Sequence, residues 1–391
     1  MKYNIILILC IIMLLFISNL CCEPQDQYND DSNQYLYLIK KNMKYGFIDI
    51  TGKIIIEPKF DDAWEFKDEV AAVSLNKKWG FINKQGTVII QPQYEIVLNF
   101  FDGLAAVLLN KKWGYIDKNG NMVINTQFDM SGSPGFMEGL AVVKQNQKYG
   151  YINMQGDFVI KPEYDDAFPF KDGFATVGYG DHIRGIKFGL INKKGEKVID
   201  FKYDSPLFFH EGLTEVQVND LYGYMDYYGK LKIEPQYEFA YSFSNGIAAV
   251  EIEYGSEIGY GHWGYIDKSG LLILDLKKIE IGFARPFSEG LSGIKLKAGY
   301  GFIDKSGDFI IQPKYSEADD FSEGLASVVL NGKFGYINKK GEVVVDFKYE
   351  LAFPFKNGLG LIYSQLGGKI KENEKYGYVN RQGQVVWEPQ G

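Results

Sequence analysis

Hydrophobic and polar residues follow a recurring pattern along most of this chain of 391 residues. Each copy holds an aromatic residue, a glycine, usually a second aromatic, an aliphatic residue, Asp or Asn, two free positions and another glycine. One copy reads Trp79-Gly80-Phe81-Ile82-Asn83-Lys84-Gln85-Gly86. The central glycines are 34 to 42 residues apart and stand at ten positions: Gly46, Gly80, Gly114, Gly150, Gly189, Gly223, Gly264, Gly301, Gly335 and Gly377. Self-similarity at this period predicts a tandem repeat architecture.

The residues around the central glycine alternate as they do in a β-strand. The two aromatics share one face of such a strand, and the glycine and the following aliphatic residue share the other. A glycine inside a strand usually marks the close approach of another backbone or a large side chain. We expect the aromatics to form a core stacked between repeats rather than an exposed ladder for sugars, since burying such side chains stabilises each by about 1.5–3 kcal/mol.

The second glycine of each copy always follows Asp or Asn by three residues, as Gly120 follows Asp117. This spacing predicts a type I turn that ends with the glycine in a left-handed conformation. A short aliphatic run comes next and often ends at a proline, which predicts the end of the strand. These prolines are Pro58, Pro92, Pro162, Pro235, Pro313 and Pro389.

Paired acidic residues follow several of these runs, at Asp61-Asp62, Asp165-Asp166 and Asp319-Asp320. We assign all three pairs to one position of the repeat, where they are expected to cap a short helical turn. Two facing carboxylates can also catalyse glycoside hydrolysis, but their recurrence favours caps. One unit is therefore predicted to be three antiparallel strands in a meander with a crossover turn.

The segment from Lys112 to Gly120, with Gly103-Leu104-Ala105-Ala106-Val107 before it, resembles the bacterial WG-containing repeat. The resemblance covers about Gln34 to Glu388. The Trp of the family name stands in three copies (Trp79, Trp113, Trp263), and the seventh copy departs from the pattern at Leu276 and Lys278. The resemblance implies an all-β protein, often of the cell envelope, and supplies no catalytic residues.

The predicted fold class is all-β, a tandem array of ten three-stranded β-meander repeats. The first strand of unit one (Tyr35–Ile39) and the last strand of unit ten (Val385–Trp387) leave both terminal units complete in sequence order. Ten units also exceed the usual four to eight blades of a propeller. We therefore favour an open, twisted, solenoid-like array, with a closed propeller-like ring as the alternative.

Residues 1–22 are predicted to be a signal peptide, because the apolar run from Ile5 to Ile17 is too short to span a bilayer comfortably. Cys21 or Cys22 follows as a candidate lipid attachment site, similar to that of a bacterial lipoprotein. Residues 23–34 form a polar tether, and the repeat array occupies residues 35–391. We expect an exported, membrane-anchored lipoprotein of the cell envelope, with plain secretion as the alternative.

Composition narrows the possible chemistry. A net charge of −8 without a long basic run argues against nucleic acid as a partner. No cysteine follows Cys22, and the three histidines lie in different repeats, so neither a metal site nor a cofactor is expected. Residues 178–187 and 254–262 lengthen two repeats, and insertions in repeat arrays often form binding loops. The candidate binding residues there are Asp181, His182, Tyr260 and His262.

The function that this pattern favours is a non-enzymatic, surface-exposed scaffold that binds a protein or a glycan. The alternatives are an envelope hydrolase or accessory protein acting on glycans or peptidoglycan, and a purely structural envelope component. An enzyme should show one repeat that gains a cluster of convergent polar residues. The sequence shows only insertions and losses of pattern, so we expect no enzyme and no catalytic residues.

Overall fold

The computed structural model describes residues 35–67, 69–181, 185–255, 260–365 and 374–390. These residues form small antiparallel sheets, ten in the described part of the chain. Within the same residues, no helix is long and apolar enough to cross a membrane. The chain divides into two units, one mainly Ile55–Phe208 and the other mainly Phe209–Gly391, and residues of the first sheet are divided between them.

The first sheet has three strands, β1 (Tyr37–Lys41), β2 (Lys44–Ile48) and β3 (Ile54–Phe60). Four further sheets of the first unit each join four consecutive strands. They are β4 (Asp62–Ala63), β5 (Val70–Leu75), β6 (Lys78–Asn83) and β7 (Val88–Tyr94); β8 (Ile96–Phe101), β9 (Leu104–Leu109), β10 (Lys112–Ile116) and β11 (Met122–Phe128); β12 (Met130–Met137), β13 (Leu140–Gln145), β14 (Lys148–Asn153) and β15 (Phe158–Tyr164); β16 (Asp166–Ala167), β17 (Phe174–Asp181), β18 (Gly185–Asn192) and β19 (Lys197–Tyr203).

The second unit begins with a three-stranded sheet, β20 (Leu213–Val218), β21 (Leu221–Asp226) and β22 (Leu231–Tyr237). Four four-stranded sheets follow it. They are β23 (Phe239–Ala240), β24 (Ile247–Tyr254), β25 (Gly261–Asp267) and β26 (Leu272–Asp275); β27 (Phe283–Ala284), β28 (Ser292–Leu296), β29 (Gly299–Ile303) and β30 (Phe309–Tyr315); β31 (Glu317–Ala318), β32 (Leu325–Leu330), β33 (Lys333–Asn338) and β34 (Val343–Tyr349); β35 (Leu351–Ala352), β36 (Leu359–Gln365), β37 (Lys375–Asn380) and β38 (Val385–Gln390).

The Asp/Asn-x-x-Gly turns have the predicted geometry. The Gly120 amide donates to the Asp117 carbonyl at 3.0 Å, and Asp117 Oδ1 accepts from the amides of Asn119 and Asn121. The second glycine has a φ between 75° and 87° in all ten repeats. A Cβ at Gly120 would also stand 3.3 Å from the Ile90 side chain of the preceding sheet. The turn therefore serves both the hairpin and the contact between neighbouring repeats.

The central glycine lies where the outer strand crosses closely, as predicted. Trp113 pairs with Phe128 and Tyr115 with Ile124, so the outer strand carries extra residues opposite Gly114. The prediction that proline ends this strand is wrong. Pro58 lies inside β3, which continues to Phe60. The outer strand is a sheet edge, and an edge position tolerates the missing N–H of proline.

The predicted helical caps are also wrong. Asp62–Ala63 and Asp166–Ala167 form the short strands β4 and β16, which pair with the next strand of their sheets. The chain stays extended there because the edge of the following sheet offers its backbone partners: the Asp61 amide donates to the Ser74 carbonyl at 2.9 Å. Most sheets are therefore four-stranded, which is the build of a propeller blade.

The core confirms the all-β repeat array. In eight of the ten repeats the aromatic after the central glycine is buried and packs against a phenylalanine that opens the next repeat, with ring centroids 4.6 to 4.9 Å apart. These pairs are Phe47–Phe66, Phe81–Phe100, Tyr115–Phe136 and Tyr151–Phe170 in the first unit, and Tyr224–Phe243, Tyr265–Phe287, Phe302–Phe321 and Tyr336–Phe355 in the second. The aromatic before the glycine is only half-buried in most repeats.

The second unit also brings residues of the first and last sheets together. A Cβ at Gly52 would overlap the Val386 carbonyl oxygen of β38. The open array favoured by the sequence would keep its two terminal repeats apart. Contact between the terminal repeats is a feature of the propeller-like alternative.

Candidate functional site

Two neighbouring repeats of the second unit depart from the pattern at the same position. One residue after the short strand, most other repeats place an aromatic or leucine, as at Trp64, Phe168 and Tyr241, and the fourth repeat has Gly132. Arg285 and Asp319 occupy this position in the eighth and ninth repeats. Asp319-Asp320 follow β31 and so stand three positions later in their repeat than Asp61-Asp62. Our assignment of these pairs to one position was therefore wrong.

A cavity of about 230 Å³ lies at these two sheets. Strands β29 and β33 supply its aromatic residues, and the region of β31 and β32 supplies most of its polar ones. Its lining residues are Arg285, Tyr300, Glu317, Ala318, Asp319, Ser327 and Phe334. The cavity thus combines a cation, two carboxylates and a hydroxyl with two aromatic side chains.

The position of Arg285 is fixed by its own backbone and by a glycine. The Arg285 carbonyl accepts hydrogen bonds from Tyr265 Oη at 2.9 Å and Ser292 Oγ at 2.7 Å. A Cβ at Gly293 would stand 3.2 Å from Arg285 Cδ, so glycine leaves room for the long side chain. Arg285 Nη1 lies 3.6 Å from Asp320 Oδ1.

Two buried polar atoms at this site have no hydrogen-bond partner in the structure. They are Arg285 Nε and Asp320 Oδ1, although the two side chains keep 28% and 42% of their surface exposed. Burial raises the pKa of Asp320, and the nearby Arg285 guanidinium opposes this shift. Burial also raises the pKa of the adjacent Tyr241 to about 12. Asp319 Oδ2 is occupied, because it accepts from Ser327 Oγ at 2.5 Å.

Arg285 Nε and Asp320 Oδ1 are both closed to solvent, and Asp320 Oδ1 faces Arg285 Nη1. The polar groups open to a ligand are therefore those of the lining residues Arg285, Glu317 and Asp319. Among the residues that the structure describes, no group of three or more His, Cys, Asp and Glu residues is placed to hold a metal ion. The site is suited to a ligand that forms hydrogen bonds and also packs against aromatic side chains. Sequence reasoning missed it, although the exchange of an aromatic for Arg or Asp at aligned positions was a readable signal.

The residues predicted from the insertions lie elsewhere. Asp181 ends β17 in the first unit and pairs with Gly185 across an extended hairpin. In the second unit, Lys297 Nζ lies 5.7 Å from the ring centroid of Tyr260. His262 Nε2 lies 2.7 Å from Asp275 Oδ1 of the outer strand.

Neither Tyr260 nor His262 lines the cavity. His182, Cys21 and Cys22 lie outside the described residues. The binding roles of Asp181, His182, Tyr260 and His262, and lipid attachment at Cys21 or Cys22, stay predictions.

A second polar departure stands in the sixth repeat, where Glu215 takes the position of Ser327. Glu215 Oε1 is buried without a hydrogen-bond partner. Burial raises the pKa of this carboxyl group above its usual 4.5, and a hydrogen bond with Ser242 opposes the shift. The folded protein therefore binds a proton at Glu215 more readily than the unfolded chain does.

Glu215→Gln is expected to raise the melting temperature at pH 7, because the folded state then no longer holds a buried charge. Both states are protonated below pH 4.5, so the advantage should shrink as the pH falls through the raised pKa toward that value. Each tenfold change in proton affinity corresponds to about 1.4 kcal/mol. Thermal melts from pH 4 to pH 8 test this, with exposed Glu234→Gln as the control. A constant difference across that range would contradict the assignment.

Solved structures that resemble this one include the following three. A crystal structure of the eukaryotic initiation factor is 8% identical, with 91% of this chain and 96% of that chain covered and a TM-score of 0.52. Hsv2p from Kluyveromyces lactis is 9% identical, with 81% and 95% covered and a TM-score of 0.32. Apo AztD from Citrobacter koseri is 10% identical, with 70% and 90% covered and a TM-score of 0.30. Only the first supports an argument, and it shows a shared fold alone.

No curated protein matches the sequence. The family model described as "WG containing repeat" matches it nine times, at residues 45–79, 79–113, 113–149, 149–181, 188–222, 222–254, 263–298, 300–334 and 334–369. These matches cover well over half of the chain and join the repeat positions whose structural roles are given above. The chain therefore belongs to the WG containing repeat family.

Proposed function

We propose that this protein is a non-enzymatic scaffold of the cell envelope that binds a protein or glycan partner. The residues that define the repeat serve the fold: the glycines allow close packing and turns, and the second aromatics fill the core. They leave little chemistry for catalysis. The proposal is carried by the cavity at Arg285, where polar residues replace the pattern without serving the repeat.

The double variant R285L/D319L is expected to lose the partner. Leucine occupies this position in the third and sixth repeats, at Leu98 and Leu207, so the variant restores the common pattern. The matched control is K112L/D129L, which removes an exposed ion pair of 2.6 Å and leaves the net charge equally unchanged. Tagged full-length protein would be cross-linked in envelope fractions and also applied to a glycan array.

Wild type and K112L/D129L should retain the same partner, and R285L/D319L should retain less than a tenth as much. Equal retention of the partner by all three proteins would show that the cavity does not bind it. Conversion of a retained glycan by the wild-type protein would contradict the non-enzymatic assignment and favour a hydrolase.

The second part of the proposal is the location. Changing both Cys21 and Cys22 to Ser should release the protein from the membrane fraction, because the leader would then supply export without acylation. One acyl chain binds membranes only marginally, so stable attachment needs the several chains of a lipoprotein. Metabolic labelling with a radioactive fatty acid gives a second measurement. Unlabelled wild-type protein that fractionates as the double variant does would favour plain secretion.

A further inference from the structure

We infer that the Arg285 cavity holds one neutral sugar residue of a glycan. This inference rests on the proposed binding function and names the chemistry of its ligand. The lining residues restrict the charge, hydrogen-bonding capacity, shape and size of a ligand.

Charge excludes the simplest ionic ligands. Glu317 and Asp319 in the lining, and Asp320 beside Arg285, disfavour an anion such as a phosphate or a uronic acid. The Arg285 guanidinium in the same lining disfavours an ammonium ligand, and Lys295 Nζ adds a further cation 5.4 Å from the ring centroid of Tyr300. Two cations beside three carboxylates leave the surroundings close to balance. A neutral ligand meets no net repulsion there.

Hydrogen bonding selects a polyol among neutral ligands. The Arg285 guanidinium and the exposed Glu317 carboxylate both line the cavity, and they offer hydrogen-bond donors and an acceptor to a ligand. Asp320 already faces this guanidinium, because its Oδ1 lies 3.6 Å from Arg285 Nη1. A sugar hydroxyl can accept from the guanidinium and donate to the carboxylate at once. Neighbouring hydroxyls on one ring supply several such groups.

The aromatic residues suit the apolar side of a sugar ring. Tyr300 and Phe334 are the aromatics before the central glycines of adjacent repeats, and both are half-buried, unlike the fully buried Phe302 and Tyr336 after those glycines. They can therefore offer ring surface to a ligand without leaving the core. A volume of about 230 Å³ lies below the roughly 300–1,000 Å³ of drug-sized sites, which limits the cavity to about one ring.

The test uses full-length protein and titration calorimetry with four neutral probes: cellopentaose, maltopentaose, chitopentaose and mannopentaose. Tetragalacturonate and spermine are the anionic and cationic comparisons. At least one neutral probe should bind saturably, with affinity reduced tenfold or more in R285L/D319L and unchanged in K112L/D129L. Glu317→Gln changes an exposed side chain and should weaken binding of the same probe about threefold, which keeps the test valid if R285L/D319L fails to fold.

The inference is overturned if no neutral probe binds, if the affinity is the same in wild type and in both cavity variants, or if only tetragalacturonate or spermine binds. Its failure can be told apart from that of the proposed function. If an envelope protein is retained in an Arg285-dependent way but no sugar binds, the scaffold proposal stands and the sugar inference fails. If neither a partner is retained nor a sugar binds, both proposals fail.

Discussion

Gly114→Ala is expected to destabilise its repeat by about 3 kcal/mol, the upper range for forcing extra atoms into a packed core. The added Cβ would stand 2.5 Å from the Ile124 carbonyl oxygen and 2.8 Å from the Thr126 amide nitrogen. Both atoms belong to the backbone of β11, so no side-chain rotation can relieve the collision. The outer strand would have to leave its bulged register.

The matched control is Gly103→Ala. Gly103 has a φ of 84°, but a Cβ there meets no atom within 4 Å. Gly103→Ala should lower the free energy of unfolding by about 1–2 kcal/mol, because alanine resists the left-handed conformation. Hydrogen exchange by mass spectrometry should show lost protection in β10 and β11 for Gly114→Ala, since each repeat mainly contacts its neighbours. Equal protection in the two variants would contradict the close approach of the strands.

Local backbone chemistry was readable from the sequence because it recurs in phase. Asp117 and Gly120 specify their turn through conformational preferences that act within four residues. The short strand at Asp62 was not readable, because its pairing depends on an edge supplied by the following strand. A two-residue strand also carries no periodicity of its own. An Asp followed by Ala is as typical of a helix N-cap as of such a short strand.

The Arg285 cavity was missed for a different reason. Its residues come from separate repeats, and each looks like an isolated loss of pattern. Alignment of the repeats at Ala63, Ala284 and Ala318 is needed to see that Arg285 and Asp319 share one place in adjacent sheets, and that Asp319-Asp320 differ from Asp61-Asp62. Contact between the terminal repeats could not be predicted either. The sequence shows that each terminal repeat has all its strands, but not which residues Gly52 contacts.

The second large effect is expected at the aromatic contacts between repeats. Phe136→Ala should cost about 3–5 kcal/mol, the usual range for removing a buried phenylalanine ring. Phe136 is fully buried, and its ring centroid lies 4.8 Å from that of Tyr115 in the preceding sheet. Removal leaves a cavity between two sheets that a rigid hairpin cannot easily fill. Tyr254→Ala, at a side chain 70% exposed, should change stability by less than about 0.5 kcal/mol.

A double-mutant cycle of Tyr115→Leu with Phe136→Ala separates the ring contact from simple burial. The coupling should be about 0.5–1.5 kcal/mol, the range measured for aromatic pairs. Tyr115→Phe supplies the hydroxyl control, because Tyr115 Oη and Ser131 Oγ share a buried hydrogen bond of 2.8 Å. That variant should lose about 1 kcal/mol while keeping the ring coupling with Phe136. Additive losses in the cycle would mean that the repeated pairs contribute burial alone, and that the aromatic pairing does not set how neighbouring sheets dock.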